Sequence, residues 1–143
     1  MSKKQYRYAT NHLSEAARLL PNHPSIWFYY SLSLIGTSKH DRYGCALLTL
    51  QRCLDVSKSC DIEWKYWAHL LRVSIFDELC QPANILKEIE LIEKLVGSNS
   101  SFSRNTLESR QYLAIVKAES YLQLGKCKVS IITFLSCRRQ SKQ

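Results

Sequence analysis

Near the C-terminal end of the chain, Ala118, Tyr121, Gly125, Ser130, Phe134 and Cys137 follow one another at spacings of three, four, five, four and three. Residues three and four apart share one face of a helix, so this run reads as two short helices. Gly125 lies between them and can leave the first helix without steric strain. Two helix backbones close on each other only where small side chains meet, and Ala118 with Ser130 offers that contact. A chain built this way is a candidate helical-repeat scaffold rather than an enzyme.

The rest of the composition agrees with an all-α chain. The 143 residues are 45% hydrophobic, enough to bury one core, and nothing calls for a second domain. Four glycines and three prolines are few for a β protein with its many turns. The formal net charge is +8, and from Arg110 to Gln143 seven basic residues stand against one acidic. That excess favours acidic partners weakly, and a solvated basic tail is the plainer account of it.

Six cysteines, at 45, 53, 60, 80, 127 and 137, include no C-x-x-C pair, and several lie beside Leu or Ala on apolar faces. They read as reduced thiols of a cytoplasmic or nuclear protein. The opening Met1-Ser2-Lys3-Lys4 lacks the apolar core of a signal peptide. The longest nearly apolar run, Ile26 to Ile35, is too short to span a bilayer, so no membrane association is expected.

Periodicity predicts seven helices. Ala9, Leu13, Ala16 and Leu20 form the stripe of the first, closed off by Pro21 and Pro24. The second spans about Ser25 to Ile35 and is aromatic on most sides, and the third, from Asp41 to Lys58, carries Ala46, Leu50, Cys53 and Leu54. The fourth opens at a candidate cap, Asp61, with Trp64, Trp67, Ala68, Leu71 and Ile75 on one face and Tyr66, Leu70 and Val73 on another. Helices apolar nearly all round are expected between neighbours.

Pro82 suits the first turn of the fifth helix, whose Ile85, Ile89, Ile92 and Val96 lie opposite Lys87, Glu88, Glu90 and Lys94 and which Gly97 ends. A polar, serine-rich loop should follow to Asn105, which with Glu108 resembles a capping box for a sixth helix ending at Leu124. The seventh runs from Lys126 to about Arg138.

Two half-patterns alternate along the chain. Trp27-x2-Tyr30-Ser31-x2-Leu34 is answered by Trp64-x2-Trp67-Ala68-x2-Leu71 and by Ala114-x3-Ala118-x2-Tyr121. Ala9-x3-Leu13-x2-Ala16-x4-Pro21 is answered by Ala46-x3-Leu50-x2-Cys53 and Ser130-x3-Phe134-x2-Cys137. These halves resemble the tetratricopeptide repeat, a helix-turn-helix unit of about 34 residues. The match is degenerate: only Gly125 takes the family's turn glycine cleanly, and only Pro21 keeps its closing proline.

The resemblance implies one domain, a right-handed superhelical array of antiparallel helix pairs. Its units would be a lone second-type helix at 5–21 and pairs at 25–58, 61–97 and 106–139. The lone helix would be a cap, or the mark of a fragment cut from a longer array.

For function, the resemblance implies a concave groove lined by the first helix of each pair. By register, that groove takes Phe28, Leu32 and Ile35 from the second helix and Lys65, His69 and Arg72 from the fourth. The sixth helix supplies Tyr112, Ile115, Glu119 and Leu122. Lys65, His69 and Arg72 share one helix face and could meet an acidic or phosphorylated segment. The family's carboxylate clamp needs lysine and asparagine where Ile115 and Glu119 stand, which disfavours a chaperone-tail receptor.

Trp27, Trp64 and Trp67 are expected in the core, Tyr29 and Tyr66 as exposed contacts, and Cys53 and Cys137 as small core residues. The four histidines lack metal-ligand spacing, and no phosphate loop or nucleophile elbow occurs. No cofactor, metal or catalytic residue is expected. The leading expectation is a non-catalytic protein-interaction scaffold within a larger complex. Nucleic-acid binding through Lys3, Lys4, Arg7 and the basic C-terminal third is the alternative, and self-association through Ile131, Ile132, Phe134 and Leu135 is a third possibility.

Overall fold

A computed structural model describes residues 2–37, 42–98, 107–125 and 135–136. Among these the chain is all α, with six helices: α1 (Lys3–Leu19), α2 (Pro24–Thr37), α3 (Tyr43–Val56), α4 (Ile62–Glu78), α5 (Pro82–Ser98) and α6 (Leu107–Gln123). The seventh helix expected from Lys126 lies outside the described residues except for Leu135 and Ser136, as do the cap at Asn105 and the Ala118–Ser130 contact. The chain divides into two compact units, Met1–Ile75 and Phe76–Gln143, and the division falls inside α4.

In the first unit, α1 starts earlier than its apolar stripe suggested because Ser2 and Gln5 cap it. The Gln5 amide donates to Ser2 Oγ (3.4 Å), and the Ser2 amide donates to Gln5 Oε1 (3.0 Å). Each residue thus satisfies a backbone N–H that the first turn leaves without a helical partner. Leu20, counted in the stripe, is the exposed cap residue, while Ala17 is the fully buried position of α1.

α1 packs on α2, and α2 on α3. The close approach of α1 rests on Gly36, because a Cβ there would clash with the Tyr6 ring. One turn along α1, the Thr10 and Thr37 hydroxyls share a hydrogen bond at 3.2 Å. The turn between the two helices is tied by the Trp27 indole N–H, which donates to the Pro21 carbonyl at 2.7 Å.

Beside Leu34, α2 buries two small polar residues. Ser31 and Ser33 are buried, and their hydroxyls donate to the Phe28 and Tyr30 carbonyls at 2.7 Å each. Bonding back to its own helix lets a serine sit in an interface without an unmet polar atom. Beyond it lies the core: Leu34, Tyr43, Ala46, Leu50, Cys53, Ala68 and Ile75, with Trp27, Phe28, Tyr30, Ile35, Leu47, Leu54 and Leu71 around them.

α4 is buried on two sides. Ala68 and Ile75 join the core, while Tyr66 and Val73, two residues away in the repeat, project roughly opposite and are also fully buried. Two expectations are corrected here. Tyr66, read as an exposed contact, has 0% exposure, and Trp67, read as core, is 38% exposed. Adjacent residues of a helix point about 100° apart, so choosing which of the two turns inward requires knowing what flanks the helix.

In the second unit, α4 ends in a left-handed turn at Cys80 (φ 53°). The Cys80 amide donates to the Asp77 carbonyl (3.1 Å) and the Gln81 amide to the Phe76 carbonyl (3.0 Å), the bonding of a Schellman cap. Pro82 then occupies the first position of α5, where a missing N–H costs nothing. α5 packs on α6, burying Ile85, Glu88, Ile89 and Ile92 from one helix and Val116 and Ser120 from the other. α5 continues through Gly97 to Ser98, one residue past the expected stop. α6 ends at Gln123, one residue before the expected Leu124, with Gly125 left-handed (φ 75°) and its amide donating to the Leu122 carbonyl at 3.0 Å.

Gly36→Ala should cost about 1–3 kcal/mol, because the added methyl must displace a ring in a packed helix pair. In a Tyr6→Ala background the same change should be neutral or stabilise by about 0.5–1 kcal/mol, since alanine outranks glycine inside a helix. Thermal unfolding of the four-protein cycle checks this, and additive effects would show that Tyr6 is not the obstacle. Cys80→Gly should stabilise by about 0.5–1 kcal/mol, the left-handed strain removed exceeding glycine's added chain entropy; urea unfolding reads it.

Candidate partner-binding surfaces

In the first unit, three aromatic rings meet across α2 and α4. Trp64 stands 5.7 Å from Phe28 and 5.9 Å from Tyr29, and those two are 5.7 Å from each other, centroid to centroid. Tyr29 is 51% exposed and Leu32, one turn along α2, is 37% exposed. Phe28 and Trp64 are half-buried, and Phe28, offered by register as a groove residue, also packs against the core. The exposed contribution of α2 is therefore Tyr29 with Leu32. Ile35, the third groove position, packs against the core as well.

Lys65 follows Trp64 on α4, and Lys65, His69 and Arg72 are all half-buried along one face. Arg72 has structural work there: its Nη1 donates to Gln51 Oε1 on α3 at 3.3 Å, linking the two helices. Of the three, Lys65 is the one next to Trp64 in the sequence. Asp61, read as the cap of α4, accepts the Lys58 amide at 2.9 Å through Oδ2 and so braces the turn that leads into the helix.

In the second unit, Tyr112, Ile115, Glu119 and Leu122 are all exposed on α6. Between α5 and α6 lies a cavity of about 430 Å³, floored by Ile89, Ile92, Val96, Leu113 and Ala114. Arg110, Lys117 and Glu93 border it, and Lys117 Nζ bridges to Glu93 Oε1 at 2.8 Å. Among the described residues its lining includes neither His nor Cys, so it offers an apolar recess with a charged rim and no nucleophile. On α5, Lys94 pairs with Glu90 at 3.0 Å, whereas Glu93 reaches across to α6.

The thiols divide by exposure. Cys45, Cys60 and Cys80 are free and exposed, and Cys53 is buried in the first core. Burial pushes the Cys53 thiol up to about 11, against a smaller opposing pull from Ser57. A thiol held protonated in this way is inert filling, not a nucleophile. Among the described residues, no group of three or more His, Cys, Asp or Glu could hold a metal ion, and no helix is long and apolar enough to cross a membrane.

Comparisons with family models, with curated proteins and with solved structures found no match.

The sequence missed Tyr29 as the partner of Trp64 and could not separate Arg72 from the other two basic residues. The signal for the first was the aromatic run at 27–30, and for the second nothing short of the position of Gln51 would have served.

Thiol labelling at pH 8 should modify Cys45, Cys60 and Cys80 in the folded chain and reach Cys53 only on unfolding, as peptide mapping would show. As pH rises past the ordinary thiol value near 9.0, the unfolded chain loses this proton first. The stability that Cys53 contributes is therefore complete below pH 9 and declines towards about pH 11. Chemical denaturation over that window should show a loss of up to about 2 kcal/mol relative to Cys53→Ala.

Proposed function

We propose that this chain is a non-catalytic protein-interaction scaffold, a degenerate helical-repeat array of the tetratricopeptide type, and that its first unit takes an acidic segment of a partner protein. The observation that carries the reading is the exposed pair Tyr29 and Leu32 on α2, with the Tyr29 ring against Trp64 and Lys65 next to Trp64 on α4. Large amphipathic rings supply contact area at small entropic cost and dominate the energetics of protein interfaces. Here Tyr29 is exposed while its ring is held by Trp64 and Phe28, so it is already positioned for a partner.

Lys65 then sets the sign of the partner. A carboxylate or phosphate beside a cation on a surface partly withdrawn from water gains a stronger contact than in bulk solvent. The chain's net charge of +8 adds long-range attraction for the same class of partner. No group described above is arranged for proton transfer, nucleophilic attack or metal-assisted chemistry, so the function proposed is recognition.

A panel of Asp- and Glu-rich peptides, each with one Leu, Phe or Trp, tests the reading by fluorescence anisotropy. Binding with Kd below about 1 mM is expected, at least about tenfold weaker in Lys65→Glu/His69→Glu and in Tyr29→Ala, with melting temperatures unchanged. Arg72 is left intact because it holds α3. If the panel fails to bind while single-stranded and duplex oligonucleotides bind with a steep salt dependence, the nucleic-acid reading replaces this one.

A further inference from the structure

On α6, Glu108, Tyr112, Ile115, Glu119 and Leu122 succeed one another at spacings of four, three, four and three, and so form one stripe along the helix. All five are exposed, Ile115 at 59% and Leu122 at 50%. The stripe lies roughly a third of a turn around the helix from Val116 and Ser120, which α6 buries. An exposed isoleucine in mid-helix gains neither from helix propensity nor from burial, and here it belongs to a row rather than standing alone.

The charge of the stripe is the second observation. In a chain of net charge +8, this face carries two carboxylates and no cation. Arg110 and Lys117 project from the opposite side of α6, where Lys117 is committed to Glu93 at 2.8 Å. Among the described residues, neither Glu108 nor Glu119 is engaged in an ion pair. They stand 11 residues apart, about 16 Å along the axis, with the apolar side chains between and beside them.

We propose that this stripe docks one amphipathic α-helix of a partner protein, whose apolar seam is bordered by Lys or Arg placed to meet Glu108 and Glu119. Alternating spacings of three and four are the seam that a second helix fits when it crosses at a shallow angle. A second copy of this chain fits poorly. Antiparallel pairing about Ile115, the middle of the stripe, sets each Glu108 against the apolar Leu122 of the other copy, and parallel pairing stacks like charges, both at a cost in desolvation or repulsion. The proposal rests on the reading of the chain as a protein-binding scaffold and gives it a second surface, selective for the opposite charge from the first.

The probe is a synthetic amphipathic helix of about 18 residues, with Leu at the heptad seam positions and two Arg about 11 residues apart. Its twin carries Glu in place of both. With the full chain, the Arg probe should bind and protect α6 amides from hydrogen exchange, while the Glu twin binds at least about tenfold more weakly. Glu108→Arg/Glu119→Arg should reverse that order, Ile115→Asp should abolish binding of both probes, and Lys65→Glu/His69→Glu should change nothing. The exchange of charge partners keeps the proposal testable should Ile115→Asp disturb folding.

Failure of both probes to bind at about 1 mM would overturn the proposal. So would an unchanged order after the charge swap, or a concentration-dependent dimer of the chain that Ile115→Asp dissolves. If the acidic panel still binds the first unit, only the α6 assignment falls. If that panel fails while the Arg probe binds here, the first unit's reading falls and this one stands.

Discussion

How near two helices can come is decided by the atoms between them, and in the first unit those atoms have been kept few. Gly36 admits the Tyr6 ring against the α2 backbone, and Ser31 and Ser33 are buried within α2 itself. Ala46, Cys53 and Ala68 have no exposed surface in the core shared by α2, α3 and α4. Larger residues then fill what remains, as Leu34, Leu50 and Ile75 do. Close packing of this kind tolerates little change in volume, so the spacing of the helices, and with it the meeting of Trp64 with Phe28 and Tyr29, follows from small side chains that touch no partner.

The same logic separates residues that hold the protein together from residues left to act outside it. Trp27 is spoken for by Pro21, Arg72 by Gln51, and Cys53 by the core. In one unit Leu32 is exposed, Lys65 is half-buried, and Tyr29 is exposed on one side while its ring meets Trp64 and Phe28; in the other, Ile115, Glu119 and Leu122 are exposed. They differ in chemistry as well. The first set joins aromatic area to positive charge and the second joins aliphatic area to negative charge, which suits the two oppositely charged partners proposed above.

Much of the helical layout was legible before any coordinates. Pro21 and Pro24 close the first helix, Pro82 marks a first turn, Gly125 marks an end, and the isoleucine stripe of α5 names its buried face, because each depends on backbone sterics or on periodicity over a few residues. The capping pair Ser2 and Gln5 is equally local, a serine followed three residues later by a glutamine. The left-handed Cys80 was not legible, since nothing in that residue type announces a positive φ; it follows from a cap that its neighbours impose.

The candidate surfaces were legible only in part. Residues 112, 115, 119 and 122 could be placed on one face from spacing alone, and they are exposed together. On α4 spacing was insufficient, because the helix has apolar residues on nearly every side and burial had to choose among them. An α-helical chain with alternating half-patterns was thus already implied by local rules acting along the sequence. Which ring of Tyr66 and Trp67 is hidden, which arginine is a strut, and where a tryptophan finds its aromatic partners depend on distances between residues remote in the chain, and those exist only once the helices have packed.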